Sequence, residues 1–208
     1  MFDFRKAGML IVLLAFPAFF FLFLRTCGTN HYDLPYFHPV TDSDGHVTLN
    51  GADTVYYQVS GVLGITPGGD TVTSQSLEGK ITAFYLGGGD DGAKESRLSE
   101  DKGRLLEILA NEKDFQLLER TGDRDAEVGG GPAPVKIRSG SSAESWEEIL
   151  KIGGKPGPAG TLYANSSLVL VDGEGYIRGY YDLSDTDDFD RALAEIKILS
   201  YQKKIAEK

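Results

Sequence analysis

The N-terminal part of the chain holds an unbroken apolar run that restricts where the protein can reside. Residues Ala7 to Leu24 are 18 uncharged, mostly apolar residues. A helix of that length just crosses about 30 Å of hydrocarbon, and Pro17 inside it is better tolerated in a membrane helix than in a soluble one. The run predicts a membrane anchor over residues 1–25. A cleaved signal peptide is the alternative, although no A-x-A cleavage site follows the run.

The charges around this run predict its orientation. Arg5 and Lys6 precede it, and after Arg25 no lysine or arginine occurs until Lys80. Because positive residues are retained on the cytoplasmic side, we expect the N-terminus in the cytoplasm and the rest of the chain outside. The sequence therefore predicts a single-pass protein of a bacterial inner membrane, with its folded domain in the periplasm.

Composition excludes several classes of function. The chain has 31 acidic and 21 basic residues, so it repels phosphate backbones and we expect no nucleic-acid partner. Cys27 is the only cysteine, which excludes an intramolecular disulfide and a Cys-x-x-Cys redox pair. All three histidines precede residue 50, so the region predicted to fold has no Ser-His-Asp triad.

The remaining sequence divides into a polar tether, residues 26–50, and a folded domain, residues 51–208. The tether is rich in Asp, Gly and Pro, and its piece Asp42–Gly45 lacks the downstream glutamate of a calcium loop. In the domain, β-branched and apolar runs separated by turn residues predict seven strands. These are Thr54–Val62, Thr71–Thr73, Ile81–Leu86, Phe115–Glu119, Val135–Arg138, Leu168–Val171 and Tyr176–Tyr181.

Three helices are predicted between and after these strands. The first carries Leu98, Leu105, Leu106 and Leu109 on one face. The second is capped by Ser141 and Glu144 and ends at Gly153. The third starts in the acidic run Asp185–Asp190, which suits a helix N-terminus. A strand-helix-strand unit followed by a hairpin and a closing helix predicts an α/β domain with a mixed central sheet, as in the thioredoxin-like fold.

Several segments resemble the Sco (SenC) family, thioredoxin-fold assembly factors of cytochrome c oxidase that handle copper. The longest is SLVLVDGEGYIRGYYD, residues 167–182, followed by DRALAEIKIL. The segments Asp70–Ser74 and Leu77–Lys80 resemble the approach to the family's first core strand, and Asn30–Pro35 resembles its juxtamembrane region. The resemblance implies an anchored protein whose partners are oxidase subunits or other assembly factors.

The same resemblance implies that the copper site is lost. Family members bind copper through a Cys-x-x-x-Cys after the first core strand and a histidine before the hairpin, since soft Cu(I) selects thiolate and imidazole. Counting from Ile81–Leu86, the cysteine positions hold Gly89 and Ala93, and Asn165 stands at the histidine position. We therefore expect no metal, no cofactor and no enzymatic activity at this site.

Two other functions stay open at the level of sequence. Cys27, His31 and His38 could supply copper ligands outside the usual site. The glycine-rich segment Gly87–Gly92 could bind a small ligand, although it has neither P-loop nor Rossmann spacing. The acidic run Asp182–Asp190 could hold a divalent metal, but helix capping explains it as well.

Overall fold

The structure is a computed structural model that describes residues 15–17, 19–21, 33–87, 92–120, 135–137, 145–152 and 166–206. The chain forms two compact units, Met1–Asp33 and Leu34–Lys208. Within the described residues no helix combines the length and apolarity needed to cross a bilayer. Most of the run Ala7–Leu24 lies outside those residues, so the membrane anchor stays a prediction.

The second unit contains nine described strands, three α-helices and a 3₁₀ turn at Ser74–Leu77. The strands are β1 Leu49–Asn50, β2 Asp53–Thr54, β3 Val62–Ile65, β4 Thr71–Thr73, β5 Ile81–Tyr85, β6 Phe115–Arg120, β7 Val135–Ile137, β8 Leu168–Val171 and β9 Ile177–Tyr181. The helices are α1 Gly92–Ile108, α2 Trp146–Ile149 and α3 Thr186–Ala206.

A five-stranded mixed sheet in the order β7-β6-β5-β8-β9 forms the centre of this unit. Strand β5 is parallel to β6, and β6 is parallel to β7. On its other side β5 is antiparallel to β8, which is antiparallel to β9. Helix α1 connects the parallel pair β5 and β6, and α3 follows the final hairpin. This is the predicted thioredoxin-like arrangement, and the mixed central sheet is confirmed.

Both faces of the sheet are covered, which explains why β5 is apolar throughout. All five residues of β5 are buried. On one face Ala83 and Tyr85 pack with Leu98 and Leu105 of α1 and with α3. On the other face Phe84 packs with residues of α2, β3 and β4. The leucine spacing of α1 and the inward placement of Phe189 and Ile196 in α3 are confirmed.

Two predicted elements differ from the structure. The segment predicted as one strand, Thr54–Val62, makes only a two-residue pair at Asp53–Thr54, isolated bridges at Tyr56 and Gln58, and then β3. These bridges reach Pro39 and Tyr176, so the segment pairs with different neighbours along its length. Helix α2 is capped by the Ser145 side chain, which accepts from Glu148 N. The predicted cap residues Ser141 and Glu144 lie outside the described residues.

The compact unit that holds the sheet begins at Leu34, inside the segment that the sequence assigned to a polar tether. Leu34 is buried against the core formed with α1 and α3. Residues 34–40, called the strap below, run along the sheet at β9, where Phe37 N donates to Ile177 O at 3.1 Å. The Asp42–Gly45 piece is a tight turn, since Asp42 Oδ1 accepts from Asp44 N and His46 N.

Gly179 in β9 is required by the packing of its neighbour. A Cβ atom there would overlap the ring of Tyr181, whose hydroxyl donates to Glu195 Oε2 at 2.6 Å. We expect Gly179→Ala to lower the free energy of unfolding of residues 33–208 by about 1–3 kcal/mol, as overpacked core positions do. Urea denaturation measures the change.

Gly103→Ala is the matched control, because a Cβ on this α1 glycine meets no atom within 4 Å. It should raise the free energy of unfolding by about 0.5–1 kcal/mol through better helix propensity. Equal effects of the two substitutions would contradict the packing described at Tyr181.

Candidate functional site

The carboxyl edge of β5 is where the segments that carry the family's ligand positions approach one another. Tyr85, the last residue of β5, pairs with Leu168, the first residue of β8. Leu86 N donates to Ser167 O at 2.9 Å. The chain leaving β5 and the chain entering β8 therefore lie side by side. Of the positions matched to the copper ligands, Gly89 and Asn165 lie outside the described residues. Ala93 lies in the first turn of α1, where the structure describes the backbone but not the side chain.

Three described side chains meet at this edge, and sequence reasoning did not single them out. Lys102 Nζ of α1 lies 2.6 Å from Glu119 Oε1, and both side chains are less than one-fifth exposed. The same ammonium lies 4.6 Å from the ring centroid of Tyr85. Tyr85 and Glu119 are neighbours across the β5–β6 pair. These three side chains include neither a thiolate nor an imidazole, the ligands that a soft metal ion prefers.

No metal site emerges from the described residues, among which no three side chains of the types His, Cys, Asp and Glu are grouped to hold an ion. The acidic run before α3 is used in capping instead. Asp185 Oδ1 accepts from Asp187 N at 2.8 Å and Asp188 N at 3.3 Å. Asp182 Oδ1 accepts from Ser184 N and Oγ, and Asp188 binds Arg191. Asp185 thus caps α3, while Asp182 and Asp188 are bonded to neighbouring groups.

His38 lies in the folded unit, although the sequence analysis assigned all three histidines to the region before the folded domain. Its Nε2 is 2.6 Å from the Tyr180 hydroxyl, and that hydroxyl donates to Leu150 O at 2.7 Å. Burial, and then the nearby charge of Lys151, lower the pKa of His38. The charge of Lys151 also disfavours a bound cation, and Nε2 is already bonded to the Tyr180 hydroxyl. Cys27 and His31, its proposed companions in a copper site, lie outside the described residues.

The motif with the strongest family resemblance, residues 167–182, serves to hold the fold together. Asp172 Oδ1 accepts from Glu174 N and Tyr176 N and so shapes the hairpin turn. Asp172 Oδ2 binds Arg178 Nη1 at 2.9 Å. Arg178 Nη2 and Nε then donate to Leu34 O at 2.7 Å and Pro35 O at 3.2 Å. The motif thus joins the β8–β9 hairpin to the start of the strap.

A cleft of about 310 Å³ opens at the opposite edge of the sheet, beside the hairpin turn at Gly173 and the last turns of α3. Three of the four charged side chains that line it, those of Lys203, Arg178 and Asp172, form ion pairs. Lys203 Nζ lies 2.7 Å from Asp114 Oδ1 and donates to Gly79 O at 2.6 Å. Arg178 is bound to Asp172. The polar wall of this cleft therefore stabilises the fold.

Comparison with known proteins gives similarity at the level of solved structures. No protein-family model and no curated protein matches the chain. The chain is similar to BsSco, a member of the Sco family of cytochrome c oxidase assembly proteins, with 16% identity, a TM-score of 0.45, and coverage of 70% of this chain and 94% of that one.

Two further structures illustrate the range of these similarities. A SCO1/SenC family lipoprotein from Bacillus anthracis has 14% identity, a TM-score of 0.44, and coverage of 69% of this chain and 95% of that one. Peroxiredoxin Q from Xanthomonas campestris has 15% identity, a TM-score of 0.46, and coverage of 69% and 94%. The thioredoxin-like assignment made above rests on the order and direction of the strands.

Arg178 gives a direct test of the structural role of the motif. Its side chain is 6% exposed, and Arg178→Met leaves the Asp172 carboxylate and two backbone carbonyls without their partner. We expect the free energy of unfolding to fall by about 3–5 kcal/mol, as when one member of a buried ion pair is removed.

The control is Arg120→Met, which breaks an exposed pair with Glu147 whose side chains are 43% and 51% exposed. This change should cost at most about 1 kcal/mol. If chemical denaturation finds Arg178→Met as mild as Arg120→Met, the motif does not hold the strap.

Proposed function

We propose that this chain is a membrane-anchored, periplasm-facing Sco-like protein that acts as a non-catalytic accessory or scaffold in the assembly of respiratory cytochrome c oxidase. The observation that carries the proposal is a contrast within one domain. The segments around 70–80 and 167–182 resemble the family, whereas Gly89, Ala93 and Asn165 replace its three copper ligands. A chain with this pattern keeps the fold of the family but not the side chains that bind copper in it.

The geometry around the lost ligands supports this proposal. The Tyr85–Leu168 pair brings the flanks of the two ligand-bearing segments to the same edge of the sheet. A thioredoxin-like fold retains its loops at this edge as a surface for docking proteins even when thiols are absent, an inference by analogy with the fold. The charge cluster Lys102, Glu119 and Tyr85 would then contribute binding specificity for a protein partner.

The two alternatives have less support from the described residues. Copper handling through Cys27, His31 and His38 would need the His38 imidazole, which is bonded to Tyr180 and lies near Lys151. Small-ligand binding at Gly87–Gly92 falls largely outside the described residues, and the Gly87 backbone there has a left-handed φ of 76°, as in an ordinary turn.

Restoring the ligands tests whether the family site has been lost from its usual place. The triple variant Gly89→Cys, Ala93→Cys and Asn165→His should gain a Cu(I) site, because two thiolates four residues apart and a facing imidazole can converge on one ion. Competition against a strong Cu(I) chelator measures the gain. Single substitutions should do much less, since one ligand does not retain the ion.

A second triple variant tests the same site with both cysteines moved one residue towards the N-terminus. It carries Gly88→Cys and Gly92→Cys in place of the first pair of cysteine substitutions. Failure of both triple variants to bind copper above the parent, while remaining folded, would remove support for the assignment of these positions.

The proposed partner class has its own test in the native membrane. Mild solubilisation followed by affinity capture of the full chain should recover oxidase subunits or their assembly factors. Lys102→Glu with Glu119→Lys reverses the pair at the carboxyl edge without changing net charge, and it should weaken this capture. Capture that never includes respiratory components would contradict the proposed role.

A further inference from the structure

The strap, residues 34–40, is fastened to the domain at both of its ends by side chains that lie far away in sequence. At its start, Arg178 binds Leu34 O and Pro35 O. Near its end, His38 Nε2 lies 2.6 Å from the Tyr180 hydroxyl. Between these points Phe37 N donates to Ile177 O, and the Phe37 ring packs edge-on against Tyr180 at 5.3 Å. Strand β9 ends the sheet order, so the strap covers the outer edge of β9.

The fastening at His38 has unusual geometry. His38 and Lys151 have φ values of 58° and 56° and are the non-glycine residues with positive φ in the described chain. Such a conformation is uncommon outside glycine and persists only where the surroundings impose it. His38 contacts the Tyr180 hydroxyl from the strap, and the carbonyl of Leu150, the residue before Lys151, contacts the same hydroxyl from the end of α2. Strap, β9 and the end of α2 therefore meet at one hydroxyl.

The proton positions at this junction follow from the hydrogen bonds. The Tyr180 hydroxyl donates to Leu150 O, so its oxygen is left to accept from the Nε2–H of a neutral imidazole. Protonation of His38 would then occur at Nδ1. It would place a charge in a half-buried position that faces Lys151.

We propose that the strap is a pH-sensitive latch, which lies closed over β9 while the His38 imidazole is neutral and loosens when that imidazole takes up a proton. The charged group that faces His38 is Lys151, which follows α2. The other titratable side chains at the junction are the phenols of Tyr180 in β9 and of Tyr57, whose backbone N donates to His38 O and whose ring lies under Lys151 Nζ. Arg178 faces the other end of the strap.

The direction of the pH effect follows from linkage. In the open strap His38 has its ordinary pKa of about 6.5, and in the closed strap burial and Lys151 lower that pKa. Between these two values the open form binds more protons, so a fall in pH favours opening. Above a pH of about 6.5 the imidazole is neutral in both forms, and the closed strap has its full stability relative to the open one. One proton changes the open-to-closed ratio by at most about tenfold per pH unit.

Hydrogen exchange of the full chain in detergent tests the latch, with rates corrected for the intrinsic effect of pH. The reporters are peptides with the amides of Phe37, Val40 and Tyr57, which bond to Ile177 O, Val55 O and His38 O. Between pH 7.5 and 5.5 their protection should fall several-fold more in the native chain than in His38→Asn, since asparagine tolerates a positive φ. The hairpin amides of Asp172 and Gly175 should not share this dependence.

His46→Asn is the matched control, because the His46 side chain is 81% exposed and its loss should leave the strap's pH dependence unchanged. Lys151→Asn should weaken that dependence, since it removes the charge that opposes protonation of His38. This second variant carries the test if His38→Asn does not fold. Identical pH dependence in the native chain, His38→Asn and Lys151→Asn would overturn the latch, as would equal loosening of the hairpin amides. The result does not depend on the proposed role in oxidase assembly.

Discussion

Arg178 links the β8–β9 hairpin to the strap, which lies more than 140 positions earlier in the sequence. Its guanidinium binds the Asp172 carboxylate, the carbonyls of Leu34 and Pro35, and the face of Tyr36 at 3.8 Å. A buried guanidinium is stable only when its donors are satisfied, so the hairpin turn and the strap have to form together. With the strap in place, Leu34 enters the core, Phe37 covers Tyr180, and the outer edge of β9 is closed.

The elements that the sequence predicted are those whose signal is local. The continuous apolar run of β5, the leucine spacing of α1 and the Asp-Gly turn at Asp172 each depend on neighbouring residues only, and each was found. The strap was missed because its contacts are not local: Leu34 and Arg178 are separated by 144 positions. In addition, the polar residues around Asp42 are typical of a solvated linker, so the segment gave no sign that Leu34 is buried. The prediction of one continuous strand after Thr54 was wrong for a related reason, since the partners of this segment change from Pro39 to Tyr176 along its length.

The candidate site shows the same division. The ligand positions that the resemblance implies were assigned by counting along the chain from β5 and towards β8, and with Gly89 and Asn165 outside the described residues this assignment stays a prediction. The cluster of Tyr85, Lys102 and Glu119 depends on how α1 crosses the sheet, which no local pattern reveals. His38 was interpreted as part of a tether with soft ligands, although its role depends on a hydroxyl 142 positions away. In the cluster and at His38 alike, the role of the side chain depends on a partner that is distant in sequence.

In this chain the residues that carry the family resemblance are not those at the positions matched to the copper ligands. The segment 167–182, which resembles the Sco family, holds the hairpin and strap through Asp172 and Arg178, whereas Gly89, Ala93 and Asn165 stand at the positions that the resemblance matches to copper ligands. The most direct test of this account is a Cu(I) competition measurement on the purified fragment 33–208, which contains the whole domain, its strap and two of the three histidines. The account predicts that a strong chelator retains all the copper. Stoichiometric transfer of Cu(I) to the folded fragment would contradict it.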